Sequence, residues 1–195
     1  GIESTDNGVI TLDSQKYFSA TRETFISSFL GTSNFIVKDA SLVDAAKLAT
    51  YANVSKFTVK DSTYNISNGL ENLLTYKTGN FLTSITNINP KNPISVDYGD
   101  LTKYQPIFSL IENKDYVLKV NKVDVANVVG LCNTNSKVAW ANVTGSASDI
   151  VSNLSSINNV GKKILGITQT DLETNNLEIN LVNFEKYQFI LSKIV

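Results

Sequence analysis

The apolar residues of this chain follow two spacings that alternate along its length. Short runs rich in valine, isoleucine and phenylalanine predict β-strands at residues 9–12, 35–38, 56–60, 82–86, 94–97, 116–120, 137–143, 163–168 and 177–181. Apolar residues at three- and four-residue spacing predict amphipathic helices around residues 66–73, 101–111 and 150–157. Strands separated by helices favour parallel pairing with crossover connections, so the pattern predicts an α/β fold.

The pattern also repeats along the chain. Residues 94–111 recur as residues 177–194 at an offset of 83, and both segments contain the sequence Lys-Tyr-Gln. Residues 59–73 match residues 143–157 at an offset of 84. Because the apolar positions stay in phase across several segments, we interpret the chain as a set of internal repeats.

Weaker matches extend the repeat to the first part of the chain. Residues 35–38 match residues 116–119 at an offset of 81, and a fainter copy of the 94–111 segment begins at Ile10. These matches predict four parts: a polar N-terminal extension or cloning remnant at 1–8, copy 1 at 9–92, copy 2 at 93–175 and a partial copy 3 at 176–195. We therefore expect the sequence to be an excerpt from a longer array.

Two architectures fit this organisation. The first, which we favour, is a repetitive, solenoid-like array of strands and helices with parallel strands, in which each unit buries one face on its neighbour. The alternative is a set of compact α/β modules. Strands such as 35–38 and 116–120 are only briefly apolar and carry lysine, which favours helices on one face of the sheet.

Aspartates follow several predicted strands directly, namely Asp13, Asp39, Asp61 and Asp97. A carboxylate in that place can accept hydrogen bonds from the unpaired amides of the next helix, so we predict helix caps. Calcium binding is the alternative use of these groups. Copy 2 favours capping, because Gly145 replaces Asp61 there and the retained Ser146 can cap a helix but is a poor calcium ligand.

Composition excludes several kinds of chemistry. The 195 residues are 42% hydrophobic and 18% charged, with a net charge of -1 and no histidine, which excludes imidazole catalysis and every histidine-containing metal site. The single cysteine, Cys132, lies in an apolar run and is predicted to be buried and inert. Arg22 is the one arginine, and the lysines are dispersed, so we predict no nucleic-acid binding; no apolar run is long enough for a membrane span.

Two further groups invite a functional reading. Asp97 and Asp100 could pair their carboxylates as a glycosidase or metal site requires, but the matching positions are Asn180 and Asn183, so a solvated turn is the favoured interpretation. Trp140 could stack on a sugar, although its spacing within a predicted strand favours a place in the core. We predict no catalytic residue, metal ligand or cofactor.

Residues 59–73 with 82–86, and 143–157 with 164–171, resemble tandem repeats of large bacterial surface and secreted proteins. That group includes adhesins exported by type I secretion, RTX proteins and surface-layer proteins. The resemblance implies a secreted or cell-surface location and a structural role. The group's glycine- and aspartate-rich calcium-binding nonapeptides are absent, so calcium binding does not carry over.

The function predicted from these observations is a non-enzymatic repeat module of a bacterial cell-surface or secreted protein, acting as a structural spacer, an adhesin or part of a surface layer. The alternative is a carbohydrate- or protein-binding domain whose site lies in non-repeating loops, at residues 31–34 or 133–136. Expected partners are a host or cell-surface glycan or protein, or neighbouring copies of the same chain. A hydrolase that uses acidic residues is the least favoured interpretation.

Overall fold

A computed structural model describes residues 3–4, 9–18 and 34–195. The strands are β1 (Glu3–Ser4), β2 (Val9–Asp13), β3 (Asn34–Ala40), β4 (Val54–Asp61), β5 (Leu82–Asn87), β6 (Pro93–Asp97), β7 (Val117–Asp124), β8 (Val138–Gly145) and β9 (Ile164–Gln169). They form two sheets, with orders β1-β2-β3-β4-β5 and β6-β7-β8-β9. Apart from the short antiparallel β1–β2 pair, all of these neighbours are parallel. The predicted α/β class with parallel strands is confirmed.

Helices connect most consecutive strands. They are α1 (Ser14–Tyr17), α2 (Leu42–Leu48), α3 (Thr63–Asn68), α4 (Leu70–Thr78), α5 (Gln105–Phe108), α6 (Val128–Thr134), α7 (Ala147–Asn159), α8 (Leu181–Lys186) and α9 (Gln188–Leu191). Single 3-10 turns lie at Tyr98–Asp100, Glu112–Lys114 and Gly161–Lys163. The helix predicted across residues 101–111 is regular only in α5, where Pro106 occupies the first turn and no intrahelical amide donor is required.

The described residues divide into two compact units, one drawn from residues 1–92 with 103–116 and the other from 93–102 with 117–195. In the first unit, one face of the sheet carries the buried side chains, including Phe35, Val37, Phe57, Val59 and Ile85. The lysines at positions 38, 56 and 60 are exposed. Strand side chains alternate between the two faces, so the helices cover one face and leave the other open, as predicted.

The second unit repeats this arrangement. Val120, Ala141, Val143 and Ile167 are buried on one face of its sheet. The opposite face is half-buried and polar: Asn121 donates to Ser95 Oγ at 2.8 Å, and Asn142 donates to the Asn121 side-chain oxygen at 2.9 Å. Two asparagine amides and a serine hydroxyl are thus hydrogen-bonded to one another across three adjacent strands on the uncovered face.

The two sheets share the same irregularity. The β3–β4 register shifts between Val37 and Ala40, and the β7–β8 register shifts between Val120 and Val123. Each shift contains one left-handed residue, Asp39 with φ 58° and Lys122 with φ 54°. Left-handed backbone costs a non-glycine residue roughly 1–2 kcal/mol. Its recurrence 83 residues later indicates a β-bulge that belongs to the unit's geometry and does not depend on which side chain occupies it.

The shared register corrects one alignment. Phe35 pairs with Val54, and Leu118 pairs with Val138, so Phe35 and Leu118 occupy equivalent places. The offset in this strand is therefore 83 residues, and the predicted match of residues 35–38 with 116–119 is wrong by two. The predicted match aligns the aromatic residues Phe35 and Tyr116. The observed alignment instead follows the burial of alternate side chains, which determines strand register.

The strand predicted at residues 177–181 is not present. Residues 177–180 have no regular secondary structure, and α8 begins at Leu181. The matching residues 94–97 lie within β6, which is a strand because β7 pairs with it along its whole length. None of the described strands pairs with residues 177–180, so their backbone groups lack the partner that would make them a strand.

The buried helix face of the second unit sets its stability. Leu154 on α7 is 1% exposed, whereas Leu165 on β9 is 47% exposed. We expect Leu154→Ala to lower the free energy of unfolding by about 2–5 kcal/mol, because it leaves a cavity as well as removing buried methyl groups. Urea unfolding followed by Trp140 fluorescence measures the change within the same unit.

The matched control is Leu165→Ala, which should change the free energy of unfolding by no more than about 0.5 kcal/mol. Equal losses for the two variants would contradict the assigned core. The equivalent Leu70, also buried, should behave like Leu154 when the first unit is monitored.

Candidate functional site

Several of the predicted capping groups do cap helices. The Asp13 carboxylate accepts the Lys16 amide at 3.1 Å at the start of α1, and the Ser146 hydroxyl accepts the Asp149 amide at 3.1 Å at the start of α7. Asp39 is different, because it occupies the β-bulge and Ser41 caps α2 in its place. The capping prediction is therefore confirmed for Asp13 and Ser146 and wrong for Asp39.

Asp61 links two connections of the first unit. Its buried carboxylate accepts the Leu42 amide at 2.8 Å, the Ser62 amide at 2.7 Å and the Asn65 side-chain amide at 2.7 Å. The cap of its own helix is Ser62, whose hydroxyl accepts from Asn65. Asp61 thus accepts a hydrogen bond from the first backbone amide of the neighbouring helix α2. With three donors bonded to it, its carboxylate has a structural role.

The carboxylates of Asp97 and Asp100 both raise the pKa of the Lys122 ammonium, with the Asp97 hydrogen bond as the larger cause. Asp97 makes an ion pair with Lys122, with 2.6 Å between carboxylate oxygen and ammonium nitrogen. It lies before the 3-10 turn without a side-chain capping bond, so its predicted capping role is wrong. No group of three or more acidic or cysteine side chains that could hold a metal ion occurs in the part of the chain that the structure describes.

Trp140 does not lie in the core, contrary to the prediction. Trp140 pairs with Lys119, Ala141 pairs with buried Val120, and the indole is half-buried on the uncovered face. The register shift between Leu118 and Lys119 inserts one extra residue, Ala139, into β8. Simple alternation from Val138 therefore assigns Trp140 to the wrong face.

Cys132 is buried, as predicted. Its side chain lies on α6 at 4% exposure, and burial raises the pKa of its thiol, with the Lys163 ammonium opposing the shift. Lys163 also donates to the Cys132 carbonyl oxygen at 2.8 Å. A raised pKa leaves less nucleophilic thiolate at neutral pH.

Of the two candidate binding loops, only residues 133–136 lie wholly within the part of the chain that the structure describes. Residues 31–33 lie outside the described residues, and Asn34 is the exposed first residue of β3. In the second loop, Asn133 lines an open cleft of the second unit, together with Asn158, Asn159, Lys162 and Phe189. The cleft therefore combines side-chain amides with an exposed aromatic ring, over which the Lys193 ammonium lies 4.8 Å from the ring centre.

The repeated Lys-Tyr-Gln segments occupy matching surroundings. In the first unit, buried Tyr104 donates its hydroxyl to Glu71 at 2.8 Å, and the Lys103 ammonium bonds the same carboxylate at 2.6 Å. The Lys103 nitrogen lies 5.0 Å from the Tyr104 ring centre. In the second unit, Lys186 lies 5.1 Å from the Tyr187 ring centre.

The hydroxyl partners of these two tyrosines differ in charge. The Glu71 carboxylate raises the pKa of Tyr104, because it accepts a hydrogen bond from the phenol hydroxyl and opposes a second negative charge beside it. Hydrogen bonds from Ser155 and Lys186 lower the pKa of Tyr187. The Lys103 hydrogen bond lowers the pKa of Glu71. Glu71 and Ser155 are 84 residues apart, which is the offset between residues 59–73 and 143–157, so they occupy equivalent positions. The two units therefore differ in charge at this position.

Residues 177–184 form an exposed apolar segment, which we call the 177–184 edge. Its apolar members are Leu177, Ile179, Leu181, Val182 and Phe184. Phe184 is 50% exposed, whereas the matching Leu101 is 8% exposed. Leu177 and Ile179 are half-buried, although the matching residues in β6 are buried. The sequence predicts that residues 177–184 match residues 94–101. It does not predict that residues 177–184 are more exposed, because burial depends on a neighbouring strand.

No protein-family model, curated protein or solved structure matches this chain. Within the described residues, every helix is too short or too polar to cross a membrane. The function of this chain is therefore inferred from its own residues and their contacts.

The two tyrosines provide a direct test of the hydroxyl geometry. We expect Glu71→Gln to lower the pKa of Tyr104 towards its ordinary value, because the negative charge beside the phenol is removed. Ser155→Glu should raise the pKa of Tyr187, because it places the charge of copy 1 in copy 2. NMR titration of the tyrosine ring carbons measures both values.

The control variant is Glu112→Gln, whose carboxylate accepts from Ser84 and Thr86 and not from a tyrosine. It should leave both phenol pKa values unchanged. An unshifted Tyr104 in Glu71→Gln would disprove the assigned hydrogen bond.

Proposed function

We propose that this chain is a non-enzymatic repeat module of a bacterial cell-surface or secreted protein, with a structural role as spacer, adhesin stalk or surface-layer component. The observation that carries the proposal is the repeated strand register, with a left-handed bulge residue at the same place in both sheets. A single catalytic pocket does not require two units to have the same β-bulge. A scaffold built by adding like units requires its units to have the same backbone geometry.

The composition of the uncovered sheet faces supports a structural role. These faces carry lysine, serine, threonine and asparagine, which form hydrogen bonds across the strands and keep the surface hydrated. The carboxylates Asp61, Asp97 and Glu71 are held by amides, lysines or a tyrosine. Their known partners therefore account for these acidic groups as parts of the scaffold.

The finer architecture that we propose is a solenoid-like array, in which units continue in one direction and each covers an edge of its neighbour. Both units have helices on one sheet face only, which leaves the other face open along such an array. The resemblance to surface-protein repeats agrees with this architecture and with a secreted or cell-surface location. Stability would then be the sum of unit and interface contributions.

Small-angle X-ray scattering tests the array. A compact chain of 195 residues has a radius of gyration of about 16 Å, and an elongated array should exceed this value clearly. The measurement should be extrapolated to zero concentration, because association would also raise the value. A globular profile near about 16 Å would contradict the solenoid-like architecture and favour compact modules.

A second candidate function is carbohydrate binding in the cleft beside Asn133. The amides of Asn133, Asn158 and Asn159 can exchange hydrogen bonds with sugar hydroxyls, and the exposed Phe189 ring offers an apolar surface for a sugar face. This cleft includes one of the two predicted binding loops. Asn133 and Phe189 therefore favour an adhesin over a passive spacer.

Binding to a glycan array tests this second function. A specific glycan signal should fall at least about tenfold in Phe189→Ala, because the aromatic surface is lost. The matched control is Phe184→Ala, which removes another exposed phenylalanine of the same unit outside the cleft. Silence on the array, or an equal loss in both variants, would contradict binding in this cleft.

A further inference from the structure

We propose that the open face of the second sheet binds a neutral polysaccharide chain around Trp140. We call this surface the Trp140 face, and its members are Lys119, Asn121, Trp140, Asn142, Leu165 and Gly166. None of these residues lines the cleft beside Asn133. The inference goes beyond the structural role proposed above, because it assigns a ligand to a surface that the scaffold leaves open.

The Trp140 side chain is available to a ligand. Trp140 lies on β8, which pairs with β7 on one side and with β9 on the other, so the surface is not an unpaired sheet edge. Its indole N–H donates no hydrogen bond to the described residues, yet the nitrogen is not buried. A half-buried aromatic ring with a free donor at its edge can both pack against a ligand and bond it.

Leu165 adds apolar surface beside the indole. Ala141 pairs with Ile164 and Asn142 pairs with Gly166, so Leu165 is an inserted residue in β9. Ile164 is 1% exposed and faces the core, whereas Leu165 is 47% exposed. Trp140 and Leu165 therefore lie on either side of the buried Ala141–Ile164 pair, where the C–H groups of a sugar ring can pack against them.

A fixed hydrogen-bond acceptor lies on the same face. The Asn142 side-chain nitrogen donates to Asn121 at 2.9 Å, and Asn121 donates to Ser95 at 2.8 Å, which fixes the orientation of the Asn142 amide. No described residue donates to the Asn142 side-chain oxygen. An acceptor that is already oriented can bind a sugar hydroxyl at little cost in conformational entropy.

Gly166 leaves room for that hydroxyl. A Cβ added there would lie 3.9 Å from the Asn142 side-chain oxygen, and its nearest neighbour would be the Lys193 carbonyl oxygen at 3.8 Å. The equivalent residue of the first unit is Ser84, which pairs with Thr58 as Gly166 pairs with Asn142. A side chain thus fills this place in the first unit, whereas the second unit leaves it open.

The comparison between units indicates an uncharged ligand. Lys56 pairs with Ile36 as Trp140 pairs with Lys119, so the first unit has an ammonium group where the second has an indole. Lys38 and Thr58 likewise correspond to Asn121 and Asn142.

The charges that remain on the second unit agree with a neutral ligand. Lys122 is paired with Asp97, and Lys119 forms no ion pair with a described residue, so its ammonium is available as a hydrogen-bond donor. An anionic polymer would favour the lysines of the first unit instead. The ring, the amides and the single free ammonium of the Trp140 face therefore fit a neutral sugar chain best.

Fluorescence tests the contact directly, because Trp140 is the only tryptophan of the chain. The full chain is titrated separately with neutral oligosaccharides of glucose, mannose, xylose and N-acetylglucosamine, and quenching of Trp140 by acrylamide is measured. We expect at least one of these sugars to reduce the quenching, because a bound sugar ring covers the indole. Unchanged quenching with all four would overturn the proposal.

Two variants copy residues of the first unit and therefore keep its backbone geometry. Trp140→Lys should weaken binding at least about tenfold, measured by electrophoresis in gels that contain the matching polysaccharide, since this method does not need the indole. Gly166→Ser should also weaken binding, because its hydroxyl fills the space beside the Asn142 side-chain oxygen. Undiminished binding by Trp140→Lys would contradict the assigned face.

The control is Phe189→Ala, which changes the cleft beside Asn133 and should leave this binding unchanged. Loss in Phe189→Ala together with retention in Trp140→Lys would place the sugar in the cleft and overturn the Trp140 face. If Trp140→Lys fails to fold by circular dichroism, Gly166→Ser decides, and unchanged affinity in that variant counts against the proposal. An elongated scattering profile without any sugar binding would overturn this inference and leave the repeat-module function standing.

Discussion

Parallel pairing between each strand and the next is the constraint on which the rest of this structure depends. A strand needs a partner for its backbone groups, and the aliphatic side chains on one of its faces need helices above them. Where both needs are met, as for β3, β4, β7 and β8, the side chains facing the helices are buried. Residues 177–180 have the apolar alternation of a strand, yet no described strand pairs with them. Their sequence favours a strand, but strand formation requires the neighbour.

Much of the fold could be predicted from sequence because the dominant signal is local alternation of apolar residues. Eight predicted strands, the parallel class and the caps at Asp13 and Ser146 follow from that signal and from the polar groups beside it. Two of the failures come from strand register. The bulge in β8 moves Trp140 to the uncovered face, and the offset of 83 aligns Phe35 with Leu118. One inserted residue reverses every later assignment, and periodicity alone does not locate the insertion.

The candidate sites were less predictable, because they depend on contacts between distant segments. Asp61 follows its strand as a cap would, but it also holds the first amide of α2, nineteen residues earlier. In the second unit the equivalent residue is Gly145, where an added Cβ would lie 3.0 Å from Val125. There the Val125 amide bonds the Thr144 carbonyl oxygen, and Asp171 accepts the Ala147 amide. The two units satisfy related backbone groups with different side chains, so alignment alone did not reveal their roles.

The hydroxyl partners of Tyr104 and Tyr187 extend this distinction between geometry and charge. Both tyrosines are buried beside a lysine at nearly the same distance. Their pKa values nevertheless shift in opposite directions, because the Glu71 carboxylate raises the pKa of Tyr104 and the Ser155 hydroxyl lowers the pKa of Tyr187. A scaffold that adds like units must keep the packing that joins them. It can vary the charges on its surface at little cost, since exposed ion pairs contribute about 1 kcal/mol or less. Differences between copies, rather than their shared features, are therefore where a binding specificity can arise. Asn133, from a non-repeating loop, lines the cleft of the second unit together with Phe189.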